Sequence, residues 1–281
     1  MCMGFGCNAV GVVGCRIIDS KRERLIAMLT NALVPCNGRF PTLIALISMF
    51  FLASSVGIGH SLGSALTLAG LILLSVAATL LCSKLLSKTL LRGEPSSFTL
   101  ELPPYRRPEI GKVIVRSVLD RTVFVLGRAV AVAAPAGLLL WILANVQIHG
   151  AGLLQLLSSA MDPVGKLFGM DGVILLAFLL ALPANEIVIP VMLMAYTATG
   201  SLTDYGSLAE LTEVLTQNGW TWLTALCTVI FMLFHFPCST TLMTIKKESG
   251  SWRWAVLAAV LPTVLGLFLC FFAATVARWI G

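Results

Sequence analysis

Residues 231–250 read FMLFHFPCSTTLMTIKKESG, an apolar run that is interrupted by Pro237 and Cys238 and ends in charged side chains. Proline lacks a backbone N–H and disfavours helical geometry at the residue before it, so neighbouring carbonyls and amides lose their helical partners. Inside a bilayer, such backbone persists only where protein or a water-filled cavity satisfies it. The stretch therefore predicts a helix that is broken at the edge of a membrane, with the Cys238 thiol where it could face a passing ion.

A second Pro-Cys pair, Pro35 and Cys36, lies within LVPCNGRFP at residues 33–41. Interrupted apolar segments at corresponding positions of two halves suggest an internal repeat and are a pointer to a transporter's binding site. The alternative is that both segments are proline-kinked packing helices with buried structural thiols.

The composition indicates the class of protein. Hydrophobic residues make up 58% of the chain and charged residues 11%, and the mean hydropathy is +0.94, so a soluble fold would have too few polar residues for its surface. We predict an all-α, polytopic integral membrane protein with proline-broken helices. The net charge of +6 does not indicate nucleic-acid binding, because the basic residues lie in short loops between apolar runs.

Cysteine and histidine usage excludes two further classes. The chain has eight cysteines, several of them within apolar spans, so we expect reduced thiols and not a disulfide framework. The three histidines are scattered and show no HExxH or nucleophile-elbow spacing, which argues against a soluble enzyme. No cleavable signal peptide is expected before the first polar segment.

The first part of the chain, residues 1–86, opens with MCMGFGCNAVGVVGC, which is too short and glycine-rich to cross a bilayer. We expect this opening to be an irregular or re-entrant piece that approaches other backbone closely. Two spans are predicted to follow, over residues 42–57 and 62–86. The opening and the two spans form the first of three predicted regions.

The second predicted region, residues 87–122, is basic. It belongs to a longer stretch rich in Lys and Arg, which the positive-inside rule assigns to the cytoplasm. ELPPYRRP at residues 101–108 is expected to be extended around its prolines, and residues 109–122 are expected to form an amphipathic helix.

The third region, residues 123–281, contains an acidic residue in an apolar run. LPANEIVIP at residues 182–190 sets Glu186 between two prolines, and an ionisable residue inside a membrane is a functional hypothesis by default. The alternative is that Glu186 is neutralised by burial or paired with Arg128 of the preceding span.

Charge parity predicts a hairpin around Glu186. Residues 201–220 contain acidic residues but no Lys or Arg and should lie outside, whereas Lys246 and Lys247 should lie inside. Residues 171–199 must then begin and end outside, as two half-helices. A single full crossing would instead put the acidic stretch in the cytoplasm.

Several motifs resemble the membrane portion of the bacterial ferrous-iron transporter B (FeoB) family, which has two Gate segments. GFGCNAVGV, RIIDSKRERL and VPCNGRFPTLIAL are similar to its first Gate region, and FPCSTTLMTIKKESGSWRWA to its second. ELPPYRRP resembles the family's cytoplasmic loop, and LPANEIVIP its acidic central segment. The matches occur in family order over nearly the whole chain, so the resemblance implies two Gate-type repeats.

The resemblance implies a permease module that moves Fe²⁺ into the cytoplasm across the bacterial cytoplasmic (inner) membrane. Cys7, Cys36 and Cys238 correspond to cysteines proposed for the family's ion path, and Glu186 to its acidic residue. Fe²⁺ accepts thiolate and carboxylate ligands, and a site with few fixed ligands suits conduction. Fe²⁺ would be the transported substrate, with no permanently bound cofactor. Further candidates for the ion path are Asn8, Asn37, Asn185, Ser239, Thr240 and His235.

Other interpretations stay open. His235 is either a ligand or a histidine of the interface or packing. The chain contains no GxxxxGK[ST] phosphate loop, so any GTP hydrolysis is expected from a domain or chain other than this one. The expected partners are the lipid bilayer, Fe²⁺, a separate GTP-binding domain or small accessory Feo-type protein, and a second copy in a homo-oligomer. A non-transporting scaffold or regulatory remnant and a Gate-type carrier of an organic solute such as a nucleoside are the alternative functions.

Overall fold

A computed structural model describes residues 2–51, 58–93, 109–116, 123–148, 151–198, 201–202 and 206–280. In chain order, the helices are α1 (Cys2–Gly6), α2 (Asn8–Gly14), α3 (Lys21–Thr30), α4 (Phe40–Leu46), α5 (Ile58–Lys88), α6 (Ile110–Arg116), α7 (Phe124–Asn145), α8 (Leu153–Leu167), α9 (Gly172–Leu180), α10 (Val188–Thr197), α11 (Leu208–Gln217), α12 (Trp222–Phe234), α13 (Ser239–Ser249) and α14 (Trp252–Ile280). A two-residue antiparallel pair, β1 (Gln147–Ile148) with β2 (Ala151–Gly152), joins α7 to α8. The all-α prediction is confirmed. ELPPYRRP and the side chain of Arg128 lie outside the description.

Among the described residues, four helical stretches are long and apolar enough to cross a membrane: Lys21–Phe51, Ser61–Lys88, Trp222–Ser249 and Trp252–Trp279. A fifth is possible if α8 and α9, which bend by 109°, form one span. The multi-pass membrane class is therefore confirmed. The predicted span at residues 42–57 was wrong in its start, because α3 and α4 belong to one interrupted stretch that begins at the charged residue Lys21.

Three helix interruptions contain the prolines that predicted them. Break A, residues 34–39, follows α3 and includes Pro35. Break B, residues 181–187, separates α9 from α10 and includes Pro183, and break C, residues 235–238, separates α12 from α13 and includes Pro237. In each case the helix ends before the proline, since the ring removes a donor and restricts the preceding residue.

The segment around break B is a hairpin. Tyr196, in the last turn of α10, donates its hydroxyl hydrogen to Asp171 Oδ2 at the start of α9. Trp220 Nε1 donates to the same tyrosine oxygen over 2.8 Å. The two ends of the segment therefore meet, with break B at its tip, as the charge parity predicted.

The sharp bend before this hairpin depends on Gly172. A Cβ at Gly172 would stand 1.8 Å from the carbonyl oxygen of Ser158, so the start of α9 touches the backbone of α8. The Gly172 N–H also donates to Asp162 Oδ1 over 2.9 Å. Together these contacts hold α9 across the end of α8 and direct break B into the bundle.

The glycine-rich opening does approach other parts of the chain closely. A Cβ at either Gly4 or Gly11 would stand 2.6 Å from Asn31 Oδ1. Asn31 is buried, and its Nδ2 donates to the Asn8 carbonyl over 2.9 Å. The opening is thus two short helices around a buried amide, next to break A.

The main apolar core is built from α9, α10 and α12, with Phe178 and Phe231 packed edge to face at 4.8 Å between ring centroids. Around it, α5 and α14 expose large apolar side chains such as Leu73 and Phe268. Lipid is the natural environment for such surfaces in a chain of this composition. The core therefore encloses breaks B and C, while the long helices face outward.

Candidate functional site

The three breaks meet in one place. The turn Asn37–Arg39 of break A packs against the turn Asn185–Ile187 of break B. The Ser239 N–H, at the start of α13, donates to the Leu182 carbonyl of break B over 2.8 Å. We call this region the three-break junction. Its parts are far apart in sequence, and the fold brings them into contact.

Two of the predicted cysteines lie at the junction. Cys36 follows Pro35 in break A, and Cys238 is the N-cap residue of α13; both are half-buried. Cys238 Sγ is 3.3 Å from Thr241 Oγ1. Cys7, between α1 and α2, is exposed, and both Cys7 and Cys36 are electrostatic neighbours of Cys238. All eight cysteines are free thiols.

Glu186 stands beside break A. An ideal Cβ on Gly38 would be 3.6 Å from Glu186 Oε2, so the carboxylate lies against the backbone of the turn that contains Asn37. Both Glu186 and Asn37 are exposed. Glu186 is therefore not a buried residue in this conformation.

Asn185 and His235 connect the breaks further. His235 Nε2 is 3.2 Å from Asn185 Oδ1, and Asn185 Nδ2 is 4.0 Å from Cys36 Sγ. The other ring nitrogen of His235, Nδ1, is 3.0 Å from the Met232 carbonyl oxygen. Since both ring nitrogens already have partners and the ring is buried against Phe178, the contacts of His235 are those of a packing residue. Its role as a ligand stays a prediction.

The remaining candidates differ in their surroundings. The Asn8 carboxamide is buried and is satisfied when its nitrogen donates to the carbonyls of Gly4 (3.0 Å) and Val34 (3.3 Å). Ser239 and Thr240 lie in the first turn of α13. Ser239 Oγ is buried and has no hydrogen-bond partner within the described part of the chain. Asn8 thus acts as a brace behind break A, whereas Ser239 lies at the junction.

Arg39 is a residue of the junction that the motif reasoning missed. It is completely buried, and its Nη1 donates to the Leu233 carbonyl over 2.9 Å. Its Nη2 donates to the carbonyls of His235 (3.1 Å) and Phe236 (3.2 Å). A signal was available, because Arg39 is the sole Lys, Arg, Asp or Glu between Arg24 and Lys84.

The described residues contain no group of three or more His, Cys, Asp or Glu side chains placed to hold a metal ion. The junction in this conformation therefore offers separate potential ligands and not a preformed cage. The assignment of Cys7, Cys36, Cys238 and Glu186 as metal ligands stays a prediction.

Comparison with known proteins gives two family matches. Residues 68–120 match the family described as "Ferrous iron transport protein B C terminus", and residues 126–252 match the Gate family, described as "Nucleoside recognition". The second match includes breaks B and C. No solved structure matches the chain.

Curated relatives have names that agree with these matches. An Fe(2+) transporter FeoB of Staphylococcus aureus is 29% identical over 282 residues, which cover 96% of this chain and 39% of the relative. A fusion of Fe(2+) transport protein A with Fe(2+) transporter FeoB, from Porphyromonas gingivalis, is 26% identical and covers 96% of this chain. An Fe(2+) transporter FeoB of Leptospira interrogans is 26% identical over 280 residues, which cover 92% of this chain. The chain spans about 39% of the length of the Staphylococcus relative. The chain is therefore similar to FeoB proteins over nearly its whole length.

Proposed function

We propose that this chain is a membrane permease module that moves Fe²⁺ into the bacterial cytoplasm through the three-break junction. The observation that carries the proposal is that three interrupted helices pack against one another, and that Cys36, Glu186 and Cys238 each belong to one of these interruptions. The names of the relatives support Fe²⁺ as the cargo.

The chemistry of these side chains suits a passing ferrous ion. Thiolates are soft ligands and carboxylates are hard ones, and Fe²⁺ accepts both. Cys36 and Cys238 are half-buried and Glu186 is exposed, so all three can be reached. An ion must leave the path as well as enter it, and separate ligands retain it less tightly than a complete cage does.

Coupling and partners belong to the same proposal. GTP hydrolysis is assigned to a GTP-binding domain outside this sequence, and this chain acts as a transporter and not as an enzyme. The Porphyromonas gingivalis relative carries an Fe(2+) transport protein A in the same polypeptide, which makes a small accessory protein of that kind a candidate partner. The cytoplasmic membrane is the proposed location.

The test is anaerobic Fe²⁺ uptake into proteoliposomes that contain this chain. The Cys36→Ser, Cys238→Ser double variant should lose uptake, and Cys82→Ser is the matched control because Cys82 is also half-buried but lies on α5. A folded double variant that transports as fast as the wild type would contradict the assignment of these thiols to the path. If the folded wild type transports nothing, the assay is repeated with a GTP-binding domain added, and continued absence of uptake favours a scaffold.

An organic solute is the second candidate cargo, because the Gate match is described as nucleoside recognition. Asn37 and Asn185 are the amides available at the junction to bind a base or sugar. Uptake of a radiolabelled nucleoside by the same proteoliposomes would support this candidate, and its absence alongside Fe²⁺ uptake would exclude it.

A further inference from the structure

The C-terminal end of α12 has the properties of a cation site. A helix ends with carbonyl groups that have no intrahelical partner, and the aligned peptide dipoles add partial negative charge there. In broken membrane helices, such unwound carbonyls and C-terminal ends can coordinate Na⁺ or a proton. At break C, the carbonyl oxygens of Leu233, His235 and Phe236 all point at one group.

That group is the guanidinium of Arg39, which comes from break A, 194 residues before Leu233. We propose that these three carbonyls form a cation site and that Arg39 is its tethered occupant. The side chain fills the position that a free cation would fill, and it binds break A to break C at the same time.

The surroundings of Arg39 favour this interpretation over an ordinary ion pair. Its hydrogen bonds within the described part of the chain go to carbonyl oxygens, and its Nε has no partner there. Its electrostatic neighbours include Cys36 and Cys238, which are thiols and not carboxylates. A buried charge is costly unless charges or dipoles compensate it. Here the carbonyls and the helix end must provide that compensation.

The proposal predicts chemical rescue. Arg39→Ala should leave an empty carbonyl site, and its melting temperature in detergent should fall by roughly 10 °C, since a buried network is lost. Low-millimolar guanidinium chloride, far below denaturing concentrations, should then restore at least half of the loss by binding the folded state. The wild type should not be stabilised, because its site is filled.

Three controls separate a cation site from general effects. Urea has a similar shape but no charge, and tetramethylammonium chloride supplies charge and ionic strength but no N–H donor; neither should rescue. Arg16→Ala removes an exposed arginine that binds Glu248 over 2.6 and 2.7 Å, and guanidinium should not stabilise it. Equal rescue by urea, or no rescue by guanidinium, would overturn the proposal.

If Arg39→Ala yields no folded protein, Arg39→Lys and Arg39→Gln decide the question. Lysine keeps the charge, whereas glutamine keeps an N–H donor without the charge. Arg39→Lys should have a melting temperature closer to that of the wild type than Arg39→Gln has. An Arg39→Gln protein that is as stable as Arg39→Lys, or more stable, would refute a cation site. The readout is unfolding and not iron uptake, so the result is independent of the proposed transport.

Discussion

Replacing Gly172 with alanine should lower the stability of the protein markedly, because the new Cβ has no space. It would meet the Ser158 carbonyl oxygen at 1.8 Å and the Asp162 nitrogen at 2.7 Å. Real Cβ atoms essentially never come within 3.0 Å, so α9 must move by about 1.2 Å relative to backbone that cannot rotate away.

The expected loss follows from two contributions. Forcing a methyl group into packed structure costs about 1–3 kcal/mol, and more where only backbone can yield. The same shift weakens the hydrogen bond from the Gly172 N–H to the Asp162 carboxylate, which contributes about 1.5–3 kcal/mol. Alanine gains only about 0.5–1 kcal/mol from its higher helix propensity, so the net loss is about 2–5 kcal/mol.

Thermal unfolding of the purified protein in detergent measures this loss. At about 2–4 °C per kcal/mol, the melting temperature of Gly172→Ala should fall by roughly 4–20 °C. Gly137→Ala is the matched control, because Gly137 lies in α7 with nothing within 4 Å of its Cβ position, and its melting temperature should stay the same or rise. A Gly172→Ala protein that melts with the wild type would refute the proposed close contact between α8 and α9.

Two further variants test the hairpin and the junction. Tyr196→Phe removes the hydroxyl that binds Asp171 and Trp220, and we expect a loss of about 1–3 kcal/mol in the free energy of unfolding, measured by thermal or chemical denaturation. Unchanged stability would mean that these bonds do not hold the ends of the hairpin together. Gly38→Ala places a methyl group 3.6 Å from Glu186 Oε2, which is an ordinary contact distance, so the melting temperature should stay within about 1 °C of the wild type. Fe²⁺ uptake should nevertheless slow, because the methyl group displaces water from around the carboxylate. Unchanged uptake would place Glu186 away from the rate-limiting part of the path.

The helix breaks and the hairpin could be predicted from the sequence because their causes are local. Pro35, Pro183 and Pro237 each remove a donor, and the preceding helices end before them. The hairpin followed from charge, since acidic residues alone flank one end of an apolar segment that is too long for a half-helix.

Other features could not be predicted. Some depend on contacts with residues distant in sequence, and one depends on the mean hydropathy of a stretch with a charged start. The first span is predicted to start at residue 42, whereas the observed stretch starts at Lys21. The charged first turn of α3 lowers the mean hydropathy there, although apolar residues follow it. The sequence leaves open a buried Glu186, but the exposure of this side chain depends on how break B packs against break A. Arg39 stands alone in an apolar stretch, yet only the fold shows which carbonyls it binds.

Hydrogen bonds to backbone carbonyls link the three breaks to one another. The carbonyls at the end of α12 accept from Arg39 of break A, and the Leu182 carbonyl of break B accepts from the Ser239 N–H after break C. Each unsatisfied backbone group inside a membrane costs several kcal/mol, so one break without the others would be strongly destabilising. In an apolar chain, several proline breaks therefore predict contact among themselves.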